Sequence, residues 1–299
     1  GAAEALAAGA DIVVTGRAAD PALFLGPLIH SFGWATDDWE KLGKGVLAGH
    51  LLECAGQVTG GYFADPPYKN VPGMAELGYP IAEIADSGEM IVTKPRASGG
   101  RVDRQTVIEQ MLYEIHDPAA YLAPDVVLDI TAARVDEIGA DRIRVTGARG
   151  RPRPDTLKAT VCIDGGVLGE AEISYAGPNA MARARLAAEV IRERMAVRAP
   201  GLRIRADAIG VVSVLGDNTG VFAQASNNAP DDIRLRFAAQ SDDTAQVELL
   251  LDEVEALYCA GPAGGSGVRR RMTPRLASAS CLIERDRVAP HVVMLGGGA

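Results

Sequence analysis

The chain has 299 residues, of which 47% are hydrophobic and 23% are charged. That share of apolar residues can form one large or two medium-sized cores, and it excludes an intrinsically disordered chain. The net charge of −9 and the pI near 5.1 argue against nucleic-acid binding, which needs a basic surface.

The cysteines and the hydropathy pattern indicate a cytoplasmic protein. Cys54, Cys162, Cys259 and Cys281 lie far apart and form no C-x-x-C pair, which disfavours a zinc site and a disulfide framework. No apolar run approaches the ~20 residues of a membrane span, so we expect no membrane contact. The chain opens on an Ala-rich stretch without a methionine, and we therefore expect the natural chain to begin before Gly1.

Residues 1–123 alternate predicted helices and strands, which is typical of an α/β region of the parallel type. AEALAAGA predicts a helix that ends at Gly9, and the almost continuously apolar DIVVTG predicts a buried parallel strand. Asp20 and Pro21 predict the start of a helix that runs through ALFLGPLIHSF. Further predictions are a helix that starts at Thr36, a strand over EMIVTKP and a helix over TVIEQMLYEI.

The pattern changes near Pro124, and residues 124–299 predict an α+β region with antiparallel strands. Apolar and polar residues alternate from PDVVLD to EISYAG, with turns about every 8 to 12 residues, as in a meander. ARARLAAEVIRERMA and DTAQVELLLDEVEALYCAG predict helices. IRADAIGVVSVLG, DIRLRFAAQ, ASCLIERDRV and HVVML predict strands, while RGRPRPDTLK and GPAGGSGVRRR predict solvated loops.

The stretch LAGHLLECAGQVTGGYFAD contains the first candidate site. If it forms one helix, Leu47 and Leu51 belong to its apolar stripe, and His50 and Glu53 lie beside that stripe, close enough to touch. Such a pair could act as a general acid and base. His50 could also activate Cys54 as a nucleophile, although a free cysteine is more often a small buried hydrophobic residue.

Two predicted transitions from a strand through a glycine turn into a helix are candidate anion sites. In VVTGRAADP, Gly16 allows a tight turn, Arg17 follows the strand and Asp20 begins the helix; a structural turn with a surface arginine is the alternative. In TKPRASGGRVD, backbone amides and cations could hold a phosphate or carboxylate. The candidate residues of that second turn are Lys94, Arg96, Ser98, Gly99, Gly100 and Arg101.

Neither turn has a P-loop or a G-x-G-x-x-G fingerprint, so the sequence predicts neither ATP nor NAD as a cofactor. No second cluster of histidines or carboxylates has the spacing of metal ligands, and no metal site is predicted.

Three stretches together carry a resemblance to a known family. AAGADIVVTGRAADPALFLGPLIHSFGW, LAGHLLECAGQVTGGYFAD and IVTKPRASGGRV resemble the acyclic terpene utilisation (AtuA) family, and the resemblance covers most of the chain. It implies catabolism of citronellol- and geraniol-like terpenoids through CoA thioesters, often alongside acyl-CoA carboxylases. It adds Gly60 and Gly61 to the candidate binding residues and assigns no catalytic residue. Ser98 departs from an expected Thr and keeps the hydroxyl group.

Two functional hypotheses follow. In the first, the protein is an enzyme that acts on an acyl-CoA or a branched-chain carboxylate by hydratase- or lyase-type acid–base chemistry, with CoA as part of the substrate. In the second, it is an accessory subunit of an acyl-CoA carboxylase or another pathway enzyme. We expect a homo-oligomer in either case. The enzyme hypothesis requires Arg17, His50 and Arg101 to lie around one cleft.

Overall fold

The computed structural model describes residues 1–214, 216–218, 220–225 and 230–295, which form two compact units. The first unit contains residues 1–158 and the segment from Leu282 onward, and the second contains residues 159–281. Each unit has its own hydrophobic core. Helices and strands are mixed in both units, which confirms the predicted α/β class. Within these described ranges, no helix is both long and apolar enough to cross a membrane.

The first unit packs four helices and seven strands, counted over its described residues. The helices are α1 (Ala2–Ala7), α2 (Ala22–Phe32), α3 (Trp39–Leu52) and α4 (Arg104–Leu112). The strands are β1 (Ile81–Ile84), β2 (Met90–Thr93), β3 (Tyr121–Leu122), β4 (Val127–Asp129), β5 (Arg134–Gly139), β6 (Arg142–Thr146) and β7 (Arg149–Arg151). Short 3-10 turns cover Ala55–Gln57, Met74–Glu76 and Arg285–Arg287.

The strands of the first unit form two antiparallel sheets, in the orders β1-β2-β6-β5 and β3-β4-β7. The parallel sheet that the sequence predicted for residues 1–123 is therefore not observed; the parallel pairing there is an isolated bridge between Leu77 and Gly99. The chain reverses between β1 and β2 within residues 85–89, and so short a connection permits only an antiparallel pair. The predicted boundary near Pro124 lies inside this unit, because β5 and β6 follow Pro124 and yet share a sheet with β1 and β2.

The predicted strand DIVVTG is wrong. Residues 11–16 form bends and irregular backbone, and Ile12 and Val14 are 82% and 90% exposed. A strand is stabilised by hydrogen bonds to a neighbour, and none of the sheets in the described chain includes this stretch. The preceding helix ends as predicted, since Gly9 has a φ of +89°.

α2, α3 and α4 lie where the sequence predicted helices, but two predicted caps are wrong. Asp20 does not cap α2, which begins after Pro21 without a side-chain cap. α3 begins after Asp38, whose carboxylate accepts a hydrogen bond from the Lys41 amide, so Asp38 and not Thr36 is the cap. α4 begins with a capping box between Asp103 and Thr106. Both helices pack against each other, and α3 also packs against β4 and β7.

The second unit is one sheet with helices on one face. Its elements are β8 (Thr156–Ala176), α5 (Ala180–Arg198), β9 (Ile204–Ile209), α6 (Val221–Gln224), β10 (Asp232–Ser241), α7 (Thr244–Ala260) and β11 (Ser266–Glu284). The sheet order is β11-β8-β10-β9. Alternate residues of β10, namely Ile233, Leu235 and Phe237, are buried, and α5 and α7 pack against this strand.

The structure confirms both long helices and the antiparallel pairing that the sequence predicted for this region. The strands predicted as one meander are divided among three sheets: β4 with β7, β5 with β6, and β8 with β10 and β11.

Four further predictions differ. RGRPRPDTLK is not a single loop, because Arg149–Arg151 form β7 and β8 begins at Thr156. GVRRR belongs to β11 and not to a loop, because that stretch lies beside the 21-residue β8. HVVML, residues 291–295, has no regular structure. The strand predicted over IRADAIGVVSVLG ends at Ile209, and its residue 215 lies outside the described residues.

Candidate functional site

The candidate site is built on the C-terminal end of α3. The helix ends at Leu52, and the chain then turns through Ala55, whose φ is +48°. The predicted continuous helix through this stretch is therefore wrong: His50 lies in the last turn, and Glu53 and Cys54 lie in the turn that follows. His50 is 1% exposed, so it is buried in the protein and not, as predicted, at the border of an apolar stripe.

The burial of His50 follows from how closely α3 approaches the start of α2. A Cβ atom on Gly49 would lie 2.6 Å from the backbone of Pro21, so only a glycine permits this contact. The ring of Tyr121 covers the imidazole from another side, with 5.5 Å between the ring centroids and an interplanar angle of 50°. Tyr121 of β3 thus packs on the imidazole, while the neighbouring Gly49 packs on Pro21.

The polar atoms of the imidazole are not satisfied by the protein. Nδ1 of His50 lies 3.4 Å from Oε1 of Glu53, and the side chain of Glu53 is 11% exposed. Neither ring nitrogen has a hydrogen-bond partner. Leaving a buried polar group without a partner costs about 1–3 kcal/mol, so this arrangement is one that a bound ligand could complete.

Gln110 positions this histidine from α4. Gln110 is 1% exposed, and its Nε2 donates a hydrogen bond of 3.0 Å to the carbonyl oxygen of His50. Its amide is also hydrogen-bonded to the thiol of Cys54, while its Oε1 has no partner. Sequence reasoning missed Gln110. A glutamine between the buried Val107 and Met111 of an amphipathic helix was the available signal.

The environment of Cys54 disfavours a thiolate nucleophile. Burial raises the pKa of the Cys54 thiol, the hydrogen bond from Gln110 lowers it, and the negative charges of Glu53, Glu114 and Asp20 raise it further. The net result is a pKa above the ordinary value, so the thiol stays protonated at neutral pH. The packing alternative for Cys54 is the one that this environment supports.

Tyr121, Tyr113 and Glu114 belong to the same site and were also missed by the sequence analysis. Burial raises the pKa of Tyr121, and the charges of Glu53, Asp20 and Glu114 add to the rise. Tyr113 is hydrogen-bonded to Glu114, and its ring meets that of Tyr62 edge-on at 6.4 Å. Short-range sequence patterns do not connect residues 113–121 with α3, because the connection is tertiary.

Backbone strain is concentrated around these residues. Ala55, Tyr62 and Glu114 all have left-handed backbone, with φ values of +48°, +61° and +57°. This conformation is uncommon for residues with a side chain and is often retained at functional sites. The strain is therefore consistent with a ligand site at this place.

The glycine turn at residues 98–101 does not form the anion cradle that the sequence suggested. Its backbone amides are used to hold neighbouring loops together and are not free to bind an anion. The hydrogen bonds are those from Ser98 to Pro95 (3.2 Å), from Gly99 to Glu76 (2.8 Å), from Gly100 to Pro72 (2.7 Å) and from Arg101 to Thr59 (2.9 Å).

The glycines Gly60 and Gly61 have the same structural role. Their amides donate to the carbonyl oxygens of Gln57 and Gly56, at 3.1 and 2.8 Å. A Cβ atom on Gly60 would meet Val71 at 2.6 Å, and the φ of Gly60 is +110°. These glycines permit loops to pack closely, which explains their presence without a ligand.

The predicted cations are divided between internal pairs and the surface. Lys94 is 8% exposed; its Nζ donates to the Ser98 carbonyl at 2.9 Å and lies 3.5 Å from Asp141. Arg101 pairs with Asp103 and stacks over the ring of Phe63.

Arg17, Gly16, Asp20 and Arg96 are exposed. Asp20 is near enough to Cys54 and Tyr121 to affect their pKa values. The structure therefore brings Asp20, His50, Glu53 and Cys54 together, whereas Lys94 and Arg101 are engaged in other contacts.

Two other features limit what this site can be. In the described part of the chain, no group of three His, Cys, Asp or Glu side chains has the arrangement of a metal site. A small cavity of about 50 Å³ in the first unit lies between Lys44 and Thr146, and an open pocket of about 480 Å³ in the second unit is lined by Arg203, Arg205 and Arg236. His50 lines neither of them, and both of its ring nitrogens are buried.

Comparison with known protein families gives a match that covers nearly all of the chain. The sequence model described as "Acyclic terpene utilisation family protein AtuA" matches residues 1–294. No curated protein matches the chain.

Proposed function

Since the chain belongs to the acyclic terpene utilisation family, we propose that it is an acid–base enzyme of acyclic terpene catabolism. Its substrate is a branched acyl chain, carried as a CoA thioester or as the free carboxylate. The reaction is of the hydratase or lyase type, and CoA enters as part of the substrate. We place the protein in the cytoplasm, where such thioesters are metabolised. The widely spaced cysteines do not suggest a disulfide framework, which agrees with a reducing compartment.

One observation carries this proposal: a buried imidazole with two unpartnered nitrogens stands beside a carboxylate. Nδ1 of His50 and Oε1 of Glu53 are 3.4 Å apart, and the protein supplies a hydrogen-bond partner to neither ring nitrogen. A structural histidine in a core is expected to have such a partner. A substrate hydroxyl or carbonyl at Nε2 would provide it, and a histidine is the side chain best suited to exchange protons near neutral pH.

The two groups can perform a balanced elimination and its reverse. The His50 imidazolium donates a proton to a substrate hydroxyl, and the C–O bond breaks with its electron pair on the departing water. Glu53 accepts a proton from the adjacent carbon, and the C–H electron pair becomes the double bond. Nδ1 of His50 keeps its proton throughout, so Glu53 releases its proton to solvent water and Nε2 of His50 takes one up from water, which restores both groups. Hydration follows the same steps in reverse.

Gln110 acts as a positioning residue in this scheme. Its hydrogen bond to the His50 carbonyl fixes the last turn of α3, and its contact with Cys54 fixes the turn that carries Glu53. Arg17 and Arg96 remain exposed and are the cations of the two signature turns that we assign to the anionic groups of the substrate.

Turnover of branched acyl-CoA thioesters by the purified chain tests the proposal. We predict that His50→Asn and Glu53→Gln each lower kcat by about a hundredfold or more, while the fold is retained. The control is His116→Asn, an exposed histidine, which should leave kcat unchanged. Full activity of the His50 variant would refute the assignment. A chain that binds no thioester below millimolar concentration in calorimetry and co-purifies with an acyl-CoA carboxylase would be an accessory subunit instead.

A further inference from the structure

The long strand β8 has a free edge over its first half. β10 pairs with β8 only along residues 167–176 of β8, and β11 lies on the opposite side of β8. In the described part of the chain, no strand pairs with residues 156–166 on the side that β10 leaves open. A strand with one unpaired side presents a row of backbone N–H and C=O groups that a further strand can bind.

Residues 156–166 and the part of β11 beside them form a two-stranded segment, which we call the ribbon. At one end of the ribbon, a Cβ atom on Gly165 would lie 3.2 Å from the backbone nitrogen of Ala277. Beyond the other end, the Arg285 amide donates a hydrogen bond of 3.1 Å to the carbonyl oxygen of Asp155. Two strands by themselves are only marginally stable in water. The ribbon would therefore be stabilised by a further strand at the free edge of β8.

The two faces of β8 in the ribbon differ in polarity. Side chains alternate between the faces of a strand, and one face here carries apolar residues, namely Leu157, Ala159, Val161 and Ile163. Val161 and Ile163 are 48% and 51% exposed, so the chain itself does not cover this face. The other face carries Lys158 and Asp164, which are also exposed.

The spacing of these residues makes the free edge complementary to a second copy of itself. In a two-fold antiparallel pair centred on Val161, Lys158 lies opposite the second copy's Asp164, since both are three residues from the centre. The symmetry produces this pair of opposite charges twice. On the apolar face, Ile163 lies opposite the second copy's Ala159, so a large side chain meets a small one. Such cross-strand pairs stabilise a sheet.

The outer edge of β11 is less suited to the same contact. Arg269, Arg271 and Arg275 are exposed along it, and Pro274 has no N–H group to donate. A two-fold pair centred on Met272 would place Arg269 opposite the second copy's Arg275, and like charges directly opposite each other are destabilising. Charged residues and proline are the means by which edge strands avoid pairing. The free edge of β8 is therefore the favoured surface.

We infer that the protein forms a two-fold homodimer in which residues 157–165 of β8 pair antiparallel with the same residues of a second copy. The strands then follow in the order β11-β8-β8-β11 across the axis, and the contact is about 30 Å long. Asp164 is available for the charge pair. Within the chain only its Oδ1 is used, which accepts a hydrogen bond of 2.9 Å from the Gly166 amide.

Sedimentation of the full chain over a range of concentrations tests the charge pairs. Lys158→Glu places glutamates opposite aspartates, and Asp164→Lys places lysines opposite lysines. Each variant alone should raise the dissociation constant of the dimer about tenfold or more. A mixture of the two variants has opposite charges at both positions again and should form a heterodimer with the original affinity.

Rescue on mixing separates a lost contact from a misfolded variant. Arg275→Glu is the matched control, because Arg275 is an exposed cation of β11, and its dissociation constant should be unchanged. The inference is overturned if the unaltered chain is a monomer at high micromolar concentration. It is also overturned if either single variant dimerises as well as the unaltered chain, or if mixing restores no dimer.

A disulfide at the two-fold axis gives a second readout. Residue 161 faces its own copy with Cα atoms about 4.5–5.5 Å apart, which a disulfide can span. The exposed Cys162, Cys259 and Cys281 are first replaced by serine, and Val161→Cys should then form a covalent dimer on mild oxidation. Leu276→Cys in the same background is the control.

Leu276 is 75% exposed but lies on β11, so three strand spacings, about 14 Å, separate it from its copy. It should therefore form no cross-link at a rate comparable with that of Val161→Cys. Equal cross-linking of the two variants, or none in Val161→Cys, would contradict the proposed register.

Discussion

At the scale of single residues, two buried polar groups without partners can be compared. The hydroxyl of Tyr175 in the second unit has no hydrogen-bond partner, and burial raises the pKa of Tyr175 to about 12. Its neighbours are apolar core residues and the guanidinium of Arg183, 5.9 Å from the ring, and none of them gives the hydroxyl a hydrogen bond, so its burial is only a cost. His50 differs because Glu53, Cys54 and Tyr121 surround it with groups that exchange or share protons. The proton-exchanging groups around the imidazole, and not its burial alone, indicate a catalytic role.

Cys54 provides a prediction at this scale. Because burial raises the pKa of Cys54 and the nearby carboxylates add to the rise, its thiol should react with iodoacetamide more slowly at neutral pH than the exposed Cys162, Cys259 and Cys281. The rate should rise only at pH values above those at which the exposed thiols react. Mass spectrometry of the labelled peptides measures each rate. Cys54→Ser should retain turnover, and labelling of Cys54 first would contradict this view of the site.

At the scale of elements, the sequence predicted helices better than strands. α2, α3, α4, α5 and α7 follow local periodicity and capping, which are encoded within each segment. The stretch DIVVTG has the composition of a buried strand and is exposed, because a strand also depends on a neighbour that local sequence does not specify. The arginine-rich half of β11 shows the reverse case. Its composition predicted a loop, but it is a strand because it lies beside β8.

The contact between α3 and β7 gives a prediction at this scale. A Cβ atom on Gly150 of β7 would lie 1.6 Å from the carbonyl oxygen of Trp39, which is too close for any side chain. We expect Gly150→Ala to destabilise the protein by about 3 kcal/mol. Gly139→Ala is the matched control, because Gly139 is also in a strand and its Cβ would meet nothing closer than 3.9 Å. Urea unfolding measures both, and equal stabilities of the two variants would contradict the close contact.

At the scale of the whole molecule, two cores divide the protein into units that can respond separately. Ile143 lies in the core of the first unit and Ile191 in that of the second, and both are fully buried. Truncating either isoleucine to alanine should cost about 2–5 kcal/mol. Hydrogen exchange read by mass spectrometry should show loss of protection in the unit that carries the substitution, because each unit opens around its own core. Equal loss in both units for both variants would show one cooperative core.

Only those residues of the candidate site that are neighbours in the sequence could be predicted. His50, Glu53 and Cys54 are neighbours in sequence, and their spacing suggested a proton-transfer pair. Gln110 and Tyr121 are 60 and 71 residues beyond His50, and only the fold brings them to it. The predicted anion cradle shows the converse error. Glycines and cations suggested a ligand, although tertiary hydrogen bonds use those amides for packing.

The most direct test of the central claim is to observe the imidazole of His50 while a ligand binds. The chain has four histidines, His30, His50, His116 and His291, so ring resonances of a histidine-labelled sample are few enough to assign by single substitutions. Addition of a geraniol-derived acyl-CoA should shift the ring resonances of His50 and leave those of the three exposed histidines in place. If the thioester binds and the His50 resonances do not move, the imidazole is not at the ligand site and the account is wrong.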